Sequence, residues 1–216
     1  MQRPNSRHCS DYFASIEQDL AFVSTNPNTV RALSDFRTGW QSVPGDRKAA
    51  LQKAYIEDNP HPTGKKEQLD AADGGTFYNV TQRKYHPWFR QFLRARGYYD
   101  IFLFNLDGNL TYSVFKELDY ATSLNTGEWK DSYLGNTFRA AADASSPEKV
   151  SFFDFKPYGP SYGAPASFIS KQIADGTGCR NAGNFQKRAT GIRGCRIRRR
   201  EHQHRQRSRQ GNRRSC

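Results

Sequence analysis

Cysteine is nearly missing from this chain of 216 residues. Cys9 stands near the start, Cys179, Cys195 and Cys216 near the end, and none lies between Ser10 and Gly178. No disulfide framework or thiolate site therefore supports the interior of the fold. Long apolar runs are missing too: no stretch approaches the roughly 18 residues of a membrane-spanning helix. Met1-Gln2-Arg3-Pro4-Asn5-Ser6 leads into no apolar segment of the kind a signal peptide carries. There is no phosphate-cradling glycine loop and no dinucleotide fingerprint. Cys179, Cys195, His202 and His204 lack metal-site spacing, and Asp100, Asp107, Asp119, Asp131, Asp143 and Asp154 do not stand at EF-hand intervals. Neither a metal nor a cofactor is expected.

Excess charge is missing from most of the chain. The formal net charge is +12, but residues 180–216 hold 13 Lys+Arg against Glu201 alone, which leaves residues 1–179 neutral with 20 bases and 20 acids. The body thus carries no electrostatic footprint for DNA or RNA. Nucleic-acid binding remains an alternative function only through the Arg-rich tail, and deleting residues 179–216 would abolish it. That tail has no apolar period and reads as disordered in isolation.

Three regions follow: a helical segment and loop over 1–75, a mixed domain over 76–178, and the basic tail over 179–216. Phe13, Ile16, Leu20 and Val23 recur at helical spacing, then Val30, Leu33, Phe36 and Trp40 do the same after Asn26-Pro27. A third helix is expected from Asp46 to about Glu57, and a fourth from Phe77 to Arg96 with Gly97 as its terminator. Tyr99–Leu106 and Asn109–Lys116 flank Asp107-Gly108, a two-residue hairpin signal. That register sets Leu103 opposite Tyr112 and Ile101 opposite Val114, with Leu110 on the same buried face. A helix over Leu134–Ala144 and strands over Val150–Phe155 and Ala166–Ile173 complete an α+β pattern with an antiparallel sheet.

The segment Tyr98-Tyr99-Asp100-Ile101-Phe102-Leu103-Phe104-Asn105-Leu106-Asp107-Gly108-Asn109, continued by Tyr112 to Asp119, resembles the extracytoplasmic sensor region of bacterial methyl-accepting chemotaxis receptors, of the Cache/PAS-like kind. Leu134-Gly135-Asn136, Phe153 to Tyr158 and Pro165 to Ser170 extend the likeness, which covers about residues 10–176. The resemblance implies long N-terminal helices followed by a PAS/Cache-like antiparallel sheet with a central β-hairpin. It implies a non-catalytic sensor that binds a small molecule, pairs as a homodimer through its N-terminal helices and faces the periplasm at the inner membrane. In the family, membrane helices flank the sensor; this chain shows neither those nor a signal segment. The family's final apolar strand is also absent after Asp175-Gly176-Thr177-Gly178, which points to a truncated or frameshifted product.

Two clusters invite chemistry. Gly159-Pro160-Ser161-Tyr162-Gly163 matches the G-x-S-x-G nucleophile elbow, but Pro157, Pro160 and Pro165 surround it and the following residues are strand-like, so a turn-rich loop is expected. His86-Pro87-Trp88-Phe89-Arg90 resembles the Arg-Pro-Trp-Tyr-type segment with which double-Cache receptors grip amino acids. His86 replaces the arginine, and without a guanidinium fork at that position an amino-acid ligand is not implied. The pocket of a PAS-like fold draws on the helix before the hairpin, the hairpin's second strand and the next strand. Tyr85, His86, Trp88, Tyr112, Asp154 and Tyr158 are accordingly the expected ligand-binding residues.

Overall fold

Helical spacing near the N-terminus becomes a layer of helices laid on a sheet. The structure, a computed structural model, describes residues 6–174 and 180–188. α1 (Ser6–Thr25) turns Ile16, Leu20 and Val23 inward. Asn26 caps α2 (Pro27–Ser42), its Oδ1 accepting the Asn28 N–H at 2.8 Å. Pro27 takes the first helical position, where a missing N–H removes no helical bond. Asp46 caps α3 (Arg47–Gln52). One π-helical turn (Lys53–Glu57) follows, closed by Asp58 N–H donating to the Lys53 carbonyl at 2.8 Å, and within it Tyr55 is fully buried.

α4 (Phe77–Arg96) runs from its Thr76 cap to Gly97, which adopts φ 64° as a left-handed terminator. It continues through Pro87 and buries Tyr78, Gln82, Tyr85, Phe89 and Leu93 at intervals of three and four. α2 crosses it tightly. A β-carbon on Gly39 would stand 3.1 Å from the Tyr78 Cα, so any larger residue there requires α4 to give way by a few tenths of an ångström.

One five-stranded sheet, antiparallel throughout, has the order β2-β1-β5-β4-β3. Its strands are β1 (Asp100–Phe104), β2 (Leu110–Ser113), β3 (Ser151–Pro157), β4 (Pro165–Ala174) and β5 (Arg180–Arg188). On one face Ile101, Leu103, Tyr112, Val114, Ile169 and Ile173 pack with Ile16, Leu33, Phe36, Tyr55, Tyr85 and Phe89. That apolar cluster spans both sides of residue 75. On the other face Phe102, Phe104, Leu110, Ala166 and Phe168 pack with Leu134 and Phe138 of α5 (Tyr133–Ala142). Helices therefore cover both faces, and every residue of β1 is buried.

Two expectations need correction. The hairpin has its predicted pairing of Leu103 with Tyr112, but its connection spans residues 105–109 and a bulge between Leu103 and Phe104 brings Phe104 opposite Leu110. Leu110 consequently joins the Phe102–Phe104 face. The cause is Asn105, whose Oδ1 accepts the Asn109 N–H at 2.9 Å while its own N–H donates to the Asn109 carbonyl. A side-chain acceptor here takes the place of one ladder rung.

The strand expected to be absent after Gly178 is present as β5, seated between β1 and β4 at the centre of the sheet. If the tail were to replace that strand, pairing was expected to end near Asn184; it reaches Gln186 against β1 and Arg188 against β4. Ladder bonds join backbone groups, and a strand with partners on both sides satisfies them whatever its side chains. Residues 180–188 are thus part of the fold and not of a disordered tail. The rest of the expected tail, residue 179 and residues 189–216, lies outside the described residues.

Candidate functional site

The site is built on two stripes of α4. Tyr78, Gln82 and Phe89 face the sheet, and the adjacent stripe His86, Arg90 and Arg94, spaced by four, faces the segment 58–73. That segment is irregular apart from a 3₁₀ turn at Lys66–Gln68 and lies across the α4 flank as a strap. His86 Nε2 lies 2.7 Å from the Glu67 main-chain oxygen, and Arg90 Nη1 donates to the same oxygen at 2.8 Å. Arg90 also pairs with Asp70 at 2.7 Å, and Arg94 reaches Glu67 Oε1 at 3.2 Å. Glu67 Oε2 is buried without a hydrogen-bond partner.

A carbonyl oxygen only accepts, so His86 Nε2 carries the proton and Nδ1 accepts the Tyr112 hydroxyl at 2.8 Å. Burial, with the Lys116 charge next, holds the imidazole well below its ordinary range, so it is neutral at physiological pH. Lys116 is fully buried beside it. Its Nζ stands 3.3 Å from the Val114 carbonyl and 3.3 and 3.5 Å from the two His86 ring nitrogens. The in-plane positions of both nitrogens are already taken, so the amine sits over the imidazole face. It also stands over the Tyr55 ring at 5.6 Å. Among the described residues no carboxylate forms an ion pair with it. Burial lowers its pKa to about 7, against an opposing pull from Asp100. The backbone that places it is left-handed, with φ 54° at Lys116 and its N–H held by Ser113 Oγ at 2.9 Å.

Beyond the Tyr55 ring, against which Tyr78 and Tyr120 pack, lies a hydroxyl network. Tyr78 donates to the Thr111 carbonyl at 2.7 Å and meets the Tyr120 hydroxyl at 2.6 Å, with Gln82 Nε2 3.1 Å from the latter. Tyr55 donates to Asn79 Oδ1 at 2.8 Å. Asp100 is also fully buried, with Oδ1 accepting the N–H groups of Ile101, Val114 and Phe115. Burial, then Asp119 and Glu117, pushes its carboxyl well above the ordinary range.

Of the residues the sequence singles out, His86 and Tyr112 meet here. The others are elsewhere. Tyr85 turns toward α2, donating to Asp35 Oδ2 at 2.7 Å. Trp88 is half-buried beside Phe89 and Phe92. Asp154 is exposed on the edge strand β3, accepting the Phe155 N–H. Tyr158 lies on the opposite face, donating to Asp119 Oδ2 at 2.6 Å. Ser161 of the G-x-S-x-G match stands in the β3–β4 loop, not between a strand and a helix, and donates to Glu117 Oε2. The residues that the sequence reading missed are Glu67, Arg90, Arg94 and Lys116. Arg90 and Arg94 were detectable with His86 as a His-x₃-Arg-x₃-Arg helical stripe; nothing local predicts the strap that brings Glu67 to them.

No family model matches the chain, and no curated protein matches it. Among solved structures, the sensor domain of the V. cholerae histidine kinase DctB aligns with 72% of this chain and 55% of its own at 10% identity and a TM-score of 0.38. The chain spans about half the length of that sensor domain.

Proposed function

We propose that this protein is a ligand-sensing module of a chemoreceptor-type signal transducer, taking a small molecule between α4, the sheet and the strap. The observation that carries the reading is the convergence of His86 and Arg90 on one main-chain oxygen, that of Glu67. Two strong donors aimed at one acceptor fit a carboxylate or carbonyl group of a ligand, and the strap supplies that acceptor while the site is closed. A hollow of about 300 Å³ between Ala54 and the strap, lined also by Asp58, Pro60, Leu69, Ala72 and Asp73, leaves space beside the strap. The resemblance of residues 98–119 to chemoreceptor sensor regions agrees with this reading.

Binding would replace the Glu67 contact, free the strap and bias the packing of α4 against α1 and α2. In this reading the N-terminal helices pair with a second copy at the periplasmic face of the inner membrane, and Phe22, 60% exposed on α1, belongs to that surface. The test is thermal unfolding of the full chain with a panel of small mono- and dicarboxylic acids. A saturable rise in Tm is expected for wild type and for Asp154→Asn, and its loss for Arg90→Gln. An equal rise in Arg90→Gln would remove the site from this position.

A further inference from the structure

We propose that Lys116 is a covalent carbonyl-capture site, whose amine condenses with a small 2-oxo or aldehyde acid held between His86 and Arg90. This deepens the sensor reading and rests on it. The amine is fully buried, has Val114 O at 3.3 Å as its acceptor, and forms no ion pair among the described residues. An ammonium so placed gives up hydration for one main-chain contact and ring faces, which favours the neutral, nucleophilic form near pH 7. The neighbours suit the reaction. Lys116 Nζ is 3.5 Å from His86 Nε2, and the oxygen on which His86 and Arg90 converge is 2.7 Å from that same nitrogen. A carboxylate in the place of the Glu67 oxygen sets an adjacent carbonyl carbon within reach of the amine. A recess of about 20 Å³, lined by Lys116 together with Lys66, Glu117 and Tyr162, has room for one water.

In the step, the Nζ lone pair forms a C–N bond as the carbonyl π pair moves to oxygen, which takes a proton. The resulting carbinolamine loses that oxygen as water with a proton from nitrogen, leaving C=N. No oxidant or reductant is consumed, and the condensation reverses when water returns.

Full-length protein is incubated with glyoxylate and cyanoborohydride, which reduces C=N to a stable secondary amine, and the adduct is mapped by peptide mass spectrometry. The expected result is saturable labelling at Lys116 that exceeds labelling of any exposed lysine at least tenfold and rises to half its maximum near pH 7. Lys116→Met abolishes it, and Arg90→Gln raises the half-saturating glyoxylate concentration at least fivefold. Labelling spread over surface lysines and unchanged in Lys116→Met overturns the proposal. So does labelling of Lys116 seen only in denaturant. Acetate, which has no reactive carbonyl, separates the two readings: a Tm rise with acetate and none of this labelling leaves the sensor standing and removes the imine.

Discussion

A lysine inside a protein core makes stability depend on pH in an uncommon window. The Lys116 amine has a folded pKa of about 7 against an ordinary 10.5, so between those values the unfolded chain binds the extra proton. Stability attributable to this residue therefore rises with pH from about 7 to 10.5, and below 7 the full burial cost is present. Lys116→Met removes that cost. Urea unfolding is expected to show the variant more stable by about 2–4 kcal/mol at pH 6, with the gain shrinking toward pH 10. Asp119 slopes the other way: burial lifts its carboxyl from 3.8 to about 7, so the folded state holds a proton that the unfolded chain releases above 4. Asp119→Asn keeps an oxygen for the Tyr158 hydroxyl. It is expected to be more stable than wild type by about 1–3 kcal/mol at pH 8 and equal to it near pH 4, again by urea unfolding. Legibility at this scale was partial. Period-two alternation puts residue 116 on the stripe of Tyr112 and Val114, so the sequence held a signal for a buried lysine. That signal competes with the ordinary solvent preference of lysine, which wins in almost every other chain.

Elements were more legible than residues, because caps and periodicities act over a few positions. Asn26 and Asp46 start their helices and Gly97 ends its own, as local chemistry requires. The hairpin pairing was legible and its loop was not: Asn105 could serve either as a strand residue or as an acceptor for residue 109, and only the folded loop selects. Gly108 keeps its predicted importance for a second reason. Its φ is 79°, and a β-carbon would also meet Asn125 Nδ2 at 2.7 Å and the Phe138 ring at 3.0 Å. Gly108→Val is expected to cost about 2–4 kcal/mol, read as a lower denaturant midpoint at unchanged slope. The strap is the element that sequence could not place. Its partners lie 19 to 27 residues further along, on α4, and its own residues carry no period.

At the scale of the molecule, the surprise is a polar, basic segment at the centre of the sheet. Composition argued against a strand over residues 180–188, and it erred because apolar content measures side-chain burial while strand pairing is a property of the main chain. A chain ending at residue 178 leaves β1 and β4 with unpaired facing edges and is expected to lose the cooperative thermal transition. A chain ending at residue 188 keeps all five described strands and is expected to retain it. Differential scanning calorimetry of the two decides.

The position of β5 also sets the order of events during synthesis. The middle strand is the last of the five to be made, so β1 and β4 wait, hydrogen-bonding edges open, until it arrives. Pairings such as Asp100 with Gln186 close a long loop, a step that slows folding. Throughout that delay the nascent chain offers two templates for strand addition by other molecules. Soluble yield is expected to rise when a holdase that covers open edges is co-expressed and to fall when synthesis is sped up, read as the soluble fraction after lysis.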